Sequence, residues 1–456
     1  MAKPRTYYSC RHCGYQSASW LGRCPECGQF GTFDEEVAQA SSPSRPQVSA
    51  ALSSVAPQRL SEVTAASLPR LSTASAEFDR VLGGGIVPGS LLLIGGEPGI
   101  GKSTLLLQSA LAIPNLRILY VSGEESEQQI KLRADRLGPS PDGLFVVSET
   151  LSSRIFEHID AVAPQLLIVD SIQTVTSPDI ESPAGSVSQI RQCTTEFLHY
   201  AKRSGVPVLL VGHITKDGTL AGPKVMEHIV DAVLQFEGDR NYGFRILRAA
   251  KNRFGSTSEI GIFEMQAGGL REVANPSQYL LSRRDTPLSG AVVAGTLEGA
   301  RPMFVEVQSL VSAAVYGTPQ RNAGSFDSRR FNMLLALLEK RCGIKLSTRD
   351  VFLNLAGGIR IADPALDLAV CCAVISSFLD LPVAPHYCFA GELGLGGEVR
   401  PVRSLPQRIS EAARLGFQRI YLSRSALRSL PEGKEPSIAI YPVDSIDEVF
   451  KSLFRS

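Results

Sequence analysis

Apolar residues come along this chain in two different rhythms. Between about 70 and 275, short and nearly unbroken apolar runs alternate with longer mixed stretches: SLLLIGG at 90–96, RILYVSG at 117–123, GLFVVS at 143–148, QLLIVD at 165–170 and VPVLLVG at 206–212. A strand buried on both faces needs such a run, so the pattern predicts a parallel sheet covered by helices, an α/β domain. From about 287 to 456 the rhythm becomes helical in two places. DSRRFNMLLALLEKRCG (327–343) puts Phe331, Leu334, Leu335 and Leu338 on one face, with Asp327 as N-cap and Gly343 as stop. DPALDLAVCCAVISSF (363–378) predicts a second helix, capped by Asp363 with Pro364 at its first position.

Before the α/β pattern lies a stretch with no rhythm. Ala, Ser and Pro fill 18 of the 30 positions from 38 to 67. Such a segment buries too little apolar surface to offset its ordering entropy, so it reads as a flexible linker. The expected organisation is a cysteine module at 1–36, a linker at 37–68, the α/β core at 69–280 and a second globular part at 287–456. No internal repeat is visible.

Composition narrows the classes. Hydrophobic residues make up 44% and charged residues 20% of the 456 positions, and the formal net charge is +1. That balance gives no global nucleic-acid signature, so any polyanion site must be a local patch. The first ten residues, MAKPRTYYSC, form no apolar signal segment, and VLLVG and LAVCCAVI are too short to cross a bilayer. A cytoplasmic protein without a membrane partner is expected.

Chemistry enters at SLLLIGGEPGIGKSTLLLQSA. Gly96-x-x-x-x-Gly101-Lys102-Ser103 follows a predicted strand and opens a helix, the context of a P-loop. Residues Gly96, Glu97, Pro98, Gly99, Ile100, Gly101, Lys102, Ser103 and Thr104 are the expected cradle for ATP and its product ADP. Backbone N–H groups and the helix N-terminus face the phosphates, Lys102 meets the β- and γ-phosphates, and the Ser103 hydroxyl meets Mg²⁺. Asp170 ends a predicted central strand and either completes the Mg²⁺ shell or caps the next helix. Glu124, in YVSGEES, is the chosen water-activating group; the alternative is that Glu124 and Glu125 are a solvated pair before a helix. His213 ends another strand and either senses the γ-phosphate or packs there.

Nine cysteines are present, four of them in the spacing Cys10-x2-Cys13-x10-Cys24-x2-Cys27. Two such knuckles supply four thiolates, a closed tetrahedral shell that suits structural Zn²⁺. The others, at 193, 342, 371, 372 and 388, sit in apolar or helical contexts and are expected to be buried and inert.

One local cluster of charge stands out. LRAAKNRFGS (247–256) carries Arg248, Lys251 and Arg253, and no carboxylate lies between Arg240 and Ser258. The cations read as a finger for the phosphate held by a neighbouring subunit, as a DNA contact, or as a solvated basic turn.

CRHCGYQSASWLGRCPECG, FDRVLGGGIVPGSLLLIGGEPGIGKST, YVSGEES, LLIVDSIQT and KNRFG together closely resemble the RadA (Sms) family of bacterial DNA repair and recombination ATPases, over nearly the full length. The resemblance implies a RecA-like P-loop core, a small zinc module and a C-terminal α+β domain similar to the Lon protease domain. It implies a homohexameric ring that hydrolyses ATP at subunit interfaces on single-stranded DNA and processes branched recombination intermediates, acting with a RecA-type recombinase. Glu124 matches the water-activating position, and Asp170 the Mg²⁺-side aspartate. His213 falls where RecA carries a γ-phosphate-sensing glutamine. ITKDGTLAGPK (214–224), with Lys216 and Lys224, falls where RecA carries a DNA-binding loop; an ordinary flexible loop is the alternative. Lys251 and Arg253 are expected to serve both ATP and DNA.

The Lon-like part carries a test of its own. Active Lon domains place a nucleophilic serine in a Gly-Pro-Ser segment; the matching stretch here is Asp363-Pro364-Ala365. The lysine that follows a Gly-x-Val-x-Pro turn, here Gly397 to Pro401, falls at Pro406. With neither group present, an ATP-dependent protease is disfavoured. Arg400, Arg403 and Arg408 read as a phosphate-binding face or as solvated charges. A nucleotide-switched regulatory ATPase is the remaining competitor.

Overall fold

The computed structural model describes residues 5–11, 15–38, 69–213, 223–238, 244–282, 286–314, 317–358, 361–430 and 438–454. The chain forms two compact units, Met1–Glu272 and Val273–Ser456. The boundary lies before the 280 read from the sequence. The expectations for Cys13, Lys216 and residues 39–68 lie outside the described residues, as do the side chains of His213 and Lys224.

The first unit opens with a small antiparallel sheet, β1 (Arg5–Cys10), β2 (Gln16–Ser17) and β3 (Phe33–Ala38), in the order β2-β1-β3. The cysteine module thus runs to Ala38, two residues beyond the expected limit, because β3 pairs along the whole of β1.

The α/β core follows: α1 (Ala76–Leu82), β4 (Leu91–Gly96), α2 (Lys102–Ala112), β5 (Ile118–Ser122), α3 (Glu127–Leu137), β6 (Leu144–Ser148), α4 (Ser152–Val162), β7 (Leu166–Asp170), α5 (Val187–Ser204), β8 (Val208–His213), α6 (Pro223–Ile229), β9 (Ala232–Glu237), β10 (Phe244–Asn252), β11 (Ile260–Gln266) and β12 (Gly269–Glu272). All five predicted strands form. They lie in one nine-stranded sheet of order β12-β11-β10-β9-β4-β8-β7-β5-β6. The six strands from β9 to β6 in that order are parallel, and β10, β11 and β12 continue antiparallel. Side chains of β4 alternate between two cores. Leu92 and Ile94 join Leu105, Leu106 and Ile130 from α2 and α3, and Leu91 and Leu93 join Ile190 and Phe197 from α5. The strands β4, β5 and β7 are buried on both faces, which is why they lack polar alternation.

The second unit contains α7 (Ser277–Leu280), β13 (Ala291–Glu298), β14 (Arg301–Ala313), β15 (Arg321–Ala323), α8 (Ser328–Cys342), β16 (Arg349–Leu355), α9 (Asp367–Leu379), β17 (Tyr387–Ala390), β18 (Glu392–Leu393), β19 (Val399–Arg400), α10 (Leu405–Arg414), β20 (Arg419–Ser423), β21 (Ala439–Val443) and α11 (Ile446–Phe454). Seven strands form a mixed sheet, β15-β16-β14-β13-β17-β20-β21, with β18 and β19 as a separate hairpin. The architecture is α+β. Asp327 caps α8 through the N–H of Arg330, and Gly343 ends it in the left-handed region at φ 69°. The helix expected from 363 differs at its start. Asp363 accepts the N–H of Ala365, two residues on, so Pro364–Leu366 form a 3₁₀ turn and the α-helix begins at Asp367.

Candidate functional site

The carboxyl ends of the parallel strands carry the site. β4 stops at Gly96, and α2 starts at Lys102 after a left-handed Gly101 at φ 118°. A side chain at Gly101 would be strained by that φ and its Cβ would lie 2.8 Å from Met265 Cε. Ile100 is buried and anchors the loop, leaving Glu97, Pro98 and Gly99 exposed at its tip. The Lys102 ammonium donates to the carbonyls of Gly96 at 2.8 Å and Glu97 at 3.0 Å. Burial pulls it down to about 8, against the opposing influence of Asp170 and Glu124. Ser103 and Thr104 occupy the first turn of α2.

Asp170 ends β7, separated from β4 only by β8. Its Oδ2 accepts the Tyr120 hydroxyl at 2.6 Å. Arg133, on α3, donates to that same hydroxyl at 3.2 Å and pairs with Glu125 at 2.9 Å. Burial, then the neighbouring Asp170, push the Tyr120 phenol well above its usual value, so it stays a donor. Glu124 accepts the Ser171 hydroxyl at 2.6 Å. A cavity of about 330 Å³ is lined by Pro98, Gly99, Gly101, Lys102, Ser103 and Thr104 with Ser122, Glu124, Glu125, Arg133, Asp170 and Met265.

The structure brings Lys102, Ser103, Thr104, Glu124 and Asp170 to one cavity. Glu124 is exposed, and Glu125, with 36% of its side chain exposed, is paired with Arg133. Tyr120 and Arg133 were missed. Tyr120 is a lone aromatic in an aliphatic strand and Arg133 sits on a helix rich in charge, so neither differs in one dimension from a packing or solvated residue. His213 ends β8 with its backbone beside Gly96.

Hard oxygen donors, a serine hydroxyl and a carboxylate, converge beside backbone N–H groups at a helix start. That donor set fits Mg²⁺ and the phosphates of ATP. Ser103 and Asp170 would hold the ion, which supplies charge neutralisation for the phosphates.

KNRFG lies at the other end of the sheet. Asn252 of β10 pairs with Ala232 of β9, which pairs with Leu92 at the start of β4, whereas the P-loop follows Gly96, which pairs with Phe236. Four residues of strand, about 13 Å, separate the two levels. Each cation has a local partner. Arg248 pairs with Glu237 at 2.8 Å. The Lys251 ammonium donates to the carbonyls of Glu227 and Val230, the latter at 2.8 Å, at the end of α6. Burial and the nearby Arg253 pull it below its usual value. Arg253 remains half exposed beside Asp231. Gly255 packs on Gly83 with the Cβ position of each 3.2 Å from the other's Cα, and Arg70 donates to the Phe254 carbonyl at 2.7 Å.

In the small sheet, the thiols of Cys10, Cys24 and Cys27 lie within 4.8 Å of one another, with Cys10 and Cys27 sulfurs 3.7 Å apart. Tetrahedral Zn–S bonds of about 2.3 Å put sulfurs about 3.8 Å apart, so the donor set fits zinc. Gly28, after the second knuckle, takes φ 72°. The five other cysteines are buried, as expected.

In the second unit the stretch matched to the Lon nucleophile is filled by an ion pair. Arg408 is buried and donates to Asp363 Oδ2 and to the Gly295 carbonyl, both at 2.7 Å. Asp363 also accepts the N–H of Leu297 at 2.7 Å. Arg408 therefore belongs to no surface phosphate-binding face, because its guanidinium bonds inward. Arg400 pairs with Glu398 and Glu392. Among the described residues no helix is long and apolar enough to cross a membrane.

The fold and site define a P-loop ATPase with a RecA-like core, a zinc ribbon ahead of it and a Lon-like α+β unit behind. Comparison with known proteins agrees. The chain matches an AAA domain over residues 57–219, a rubredoxin metal binding domain over 8–35 and the subunit ChlI of Mg-chelatase over 307–426. It is 49% identical to DNA repair protein RadA of Streptococcus pyogenes serotype M6, covering 100% of both chains. It is 46% identical to that of Bacillus subtilis strain 168 over 99% of both, and 45% identical to that of Listeria monocytogenes over 99% of this chain and 98% of the relative. A solved KaiC-like protein, PH0186 of Pyrococcus horikoshii, covers 45% of this chain and 99% of its own at 18% identity and a TM-score of 0.38, too loose a match to carry an argument. The chain belongs to the DNA repair protein RadA family. It is a DNA repair ATPase that uses ATP, Mg²⁺ and Zn²⁺.

Proposed function

We propose that this protein is a DNA-dependent ATPase that works as a homohexameric ring on single-stranded DNA and moves branched recombination intermediates in the cytoplasm, alongside a RecA-type recombinase. In each turnover a water attacks the γ-phosphorus of ATP, the bond to the β,γ-bridging oxygen breaks, and ADP and phosphate leave. Glu124 takes the water's proton. The P-loop N–H groups and Lys102 hold the phosphates, and Ser103 and Asp170 hold the metal. Lys251 and Arg253 reach the γ-phosphate of the neighbouring subunit, and the loop at 214–224, with Lys216 and Lys224, meets the DNA backbone.

One observation carries the reading across subunits. Lys251 and Arg253 lie at the opposite end of the sheet from their own P-loop. A phosphate role for them needs ATP from another copy. The Lys251 ammonium also holds the end of α6, the helix that follows the proposed DNA loop. DNA contact at the loop and phosphate contact at KNRFG are thereby joined through one side chain.

Mixing tests this directly. Lys102→Ala subunits carry an intact finger, and Arg253→Ala subunits carry an intact P-loop. Each variant alone is inactive on this reading, and mixed rings regain DNA-stimulated ATP turnover. A mixture no more active than the separate proteins sinks the cross-subunit role.

The Lon-like unit is not a protease on this reading. Ala365 and Pro406 offer no nucleophile and no base, and Asp363, in the same matched stretch as Ala365, is paired with the buried Arg408.

A further inference from the structure

Three carboxylates, Glu124, Glu125 and Asp170, share one cavity with two cations, Lys102 and Arg133. Like charges so close compete for metal and for protons, and a working site must hold each in a distinct role. We propose that Tyr120 and Arg133 are positioning residues that set those roles. Tyr120 fixes which oxygen of Asp170 faces the metal, and Arg133 withdraws Glu125 so that Glu124 alone meets the attacking water. This rests on the roles given above to Asp170 and Glu124 and adds what sets them.

The geometry supports each half. Tyr120 is fully buried, stands on β5 beside β7, and gives its only hydroxyl proton to Asp170 Oδ2 at 2.6 Å. That bond engages Oδ2 and leaves Oδ1 to the metal. Arg133 then holds the phenol oxygen from the other side at 3.2 Å, which fixes the direction of the donated proton. The same guanidinium pairs with Glu125 at 2.9 Å, with 16% of the Arg133 side chain exposed. Glu125, with 36% of its side chain exposed, is held against Arg133, which offsets one negative charge at the cavity wall. Glu124 takes its hydrogen bond from Ser171, directly after Asp170. Two adjacent glutamates thus differ because one meets a cation on α3 and the other a hydroxyl at the end of β7.

The test uses the full-length protein and a fluorescent ADP analogue as probe, titrated with Mg²⁺. Tyr120→Phe keeps the ring and removes the hydroxyl. The Mg²⁺ concentration for half-maximal tightening of the analogue is expected to rise about tenfold, the worth of a hydrogen bond to a charged group. Binding in EDTA stays unchanged. An unchanged Mg²⁺ midpoint in a folded Tyr120→Phe protein overturns the positioning role. Arg133→Gln, which leaves Tyr120 to pack the core, covers the case in which Tyr120→Phe does not fold. Arg133→Gln is expected to raise the same midpoint and lower kcat, and adding Glu125→Gln to it restores most of kcat, because the carboxylate that lost its cation is gone as well, while the midpoint stays raised because the phenol still lacks its Arg133 contact. No recovery in the double variant overturns the account of Glu125. Glu124→Gln separates the two levels: if it turns over ATP normally, the base assignment fails, whatever Tyr120 does to the Mg²⁺ midpoint.

Discussion

Arg253 and Asp231 are joined twice. The backbone N–H of Arg253 donates to the Asp231 carbonyl at 3.1 Å, and the guanidinium lies 3.3 Å from Asp231 Oδ1. The two sides of this pair are unequal. Asp231 is buried and also accepts the Leu91 N–H at 3.0 Å and the Lys202 ammonium at 2.6 Å, whereas over half of the Arg253 side chain is exposed. Arg253→Ala should therefore change unfolding stability by no more than about 1 kcal/mol, as expected for an exposed ion pair. Asp231→Ala strands the Leu91 N–H at the start of the P-loop strand and should cost about 3 kcal/mol. Urea denaturation separates them. A large loss in Arg253→Ala would make its charge a matter of folding and weaken the finger role.

On the proposed reading the P-loop and Glu124 do separable work. Lys102→Ala should abolish ATP turnover and weaken nucleotide binding by at least about tenfold, since on the proposed reading the buried ammonium, held by the Gly96 and Glu97 carbonyls, meets the phosphates. Glu124→Gln should bind nucleotide as the parent does and lose about 10² to 10⁴ in kcat, the usual worth of a positioned base. Equilibrium binding and steady-state turnover on the same preparations distinguish the two. Glu124→Gln with parental kcat would falsify the base assignment.

Much of this was legible before the structure because local physics repeats. The apolar runs became the central strands, since only a strand covered on both faces tolerates SLLLIGG or QLLIVD. The N-cap Asp327 and the left-handed Gly343 marked α8 at both ends because caps are local chemistry. What the sequence hid is long-range pairing. Tyr120 and Asp170 lie 50 positions apart, and Arg408 reaches Asp363 across 45. Arg408 is amphipathic-helix surface by its neighbours and interior by its partner. Register is equally silent in one dimension, and it is register that places KNRFG away from its own P-loop. Asp363 caps the helix and Pro364 opens it as expected, but the first turn is 3₁₀ and the α-helix starts at Asp367, and Asp363 does more than cap. Its Oδ2 is engaged by Arg408 and Leu297 while Oδ1 accepts from Ala365, two residues on.

The thiols divide into two chemical populations. Burial pushes Cys193 up to about 12 and raises Cys371, Cys372 and Cys388 well beyond the ordinary thiol range. At pH 8 all four remain protonated, and only a thiolate reacts with iodoacetamide. The native protein should show no labelling at these positions by mass spectrometry. A strong chelator should expose the ribbon cysteines, Cys10, Cys24 and Cys27, to rapid labelling while the melting transition of the ATPase core stays in place. Labelling of Cys193 at the same rate as Cys24 would contradict the buried assignment.

Arg408 offers the sharpest test of the Lon-like unit. Its guanidinium is 1% exposed and its partner Asp363 is 11% exposed, so the pair is a shielded one. Arg408→Leu leaves Asp363 with the N–H groups of Leu297 and Ala365 but without this countercharge, and also takes a donor from the Gly295 carbonyl. Breaking a buried pair from one side costs about 3–5 kcal/mol, whereas replacing both partners with apolar groups costs much less. Arg408→Leu should lower the denaturation midpoint of residues 273–456 steeply, and Arg408→Leu with Asp363→Leu should regain part of it. With Pro406 at the lysine position, Ala365→Ser should yield no casein cleavage with ATP and single-stranded DNA present, because an unactivated hydroxyl without a base is inert. ATP-stimulated cleavage by either the parent protein or this variant would show a nucleophile and base elsewhere in the unit.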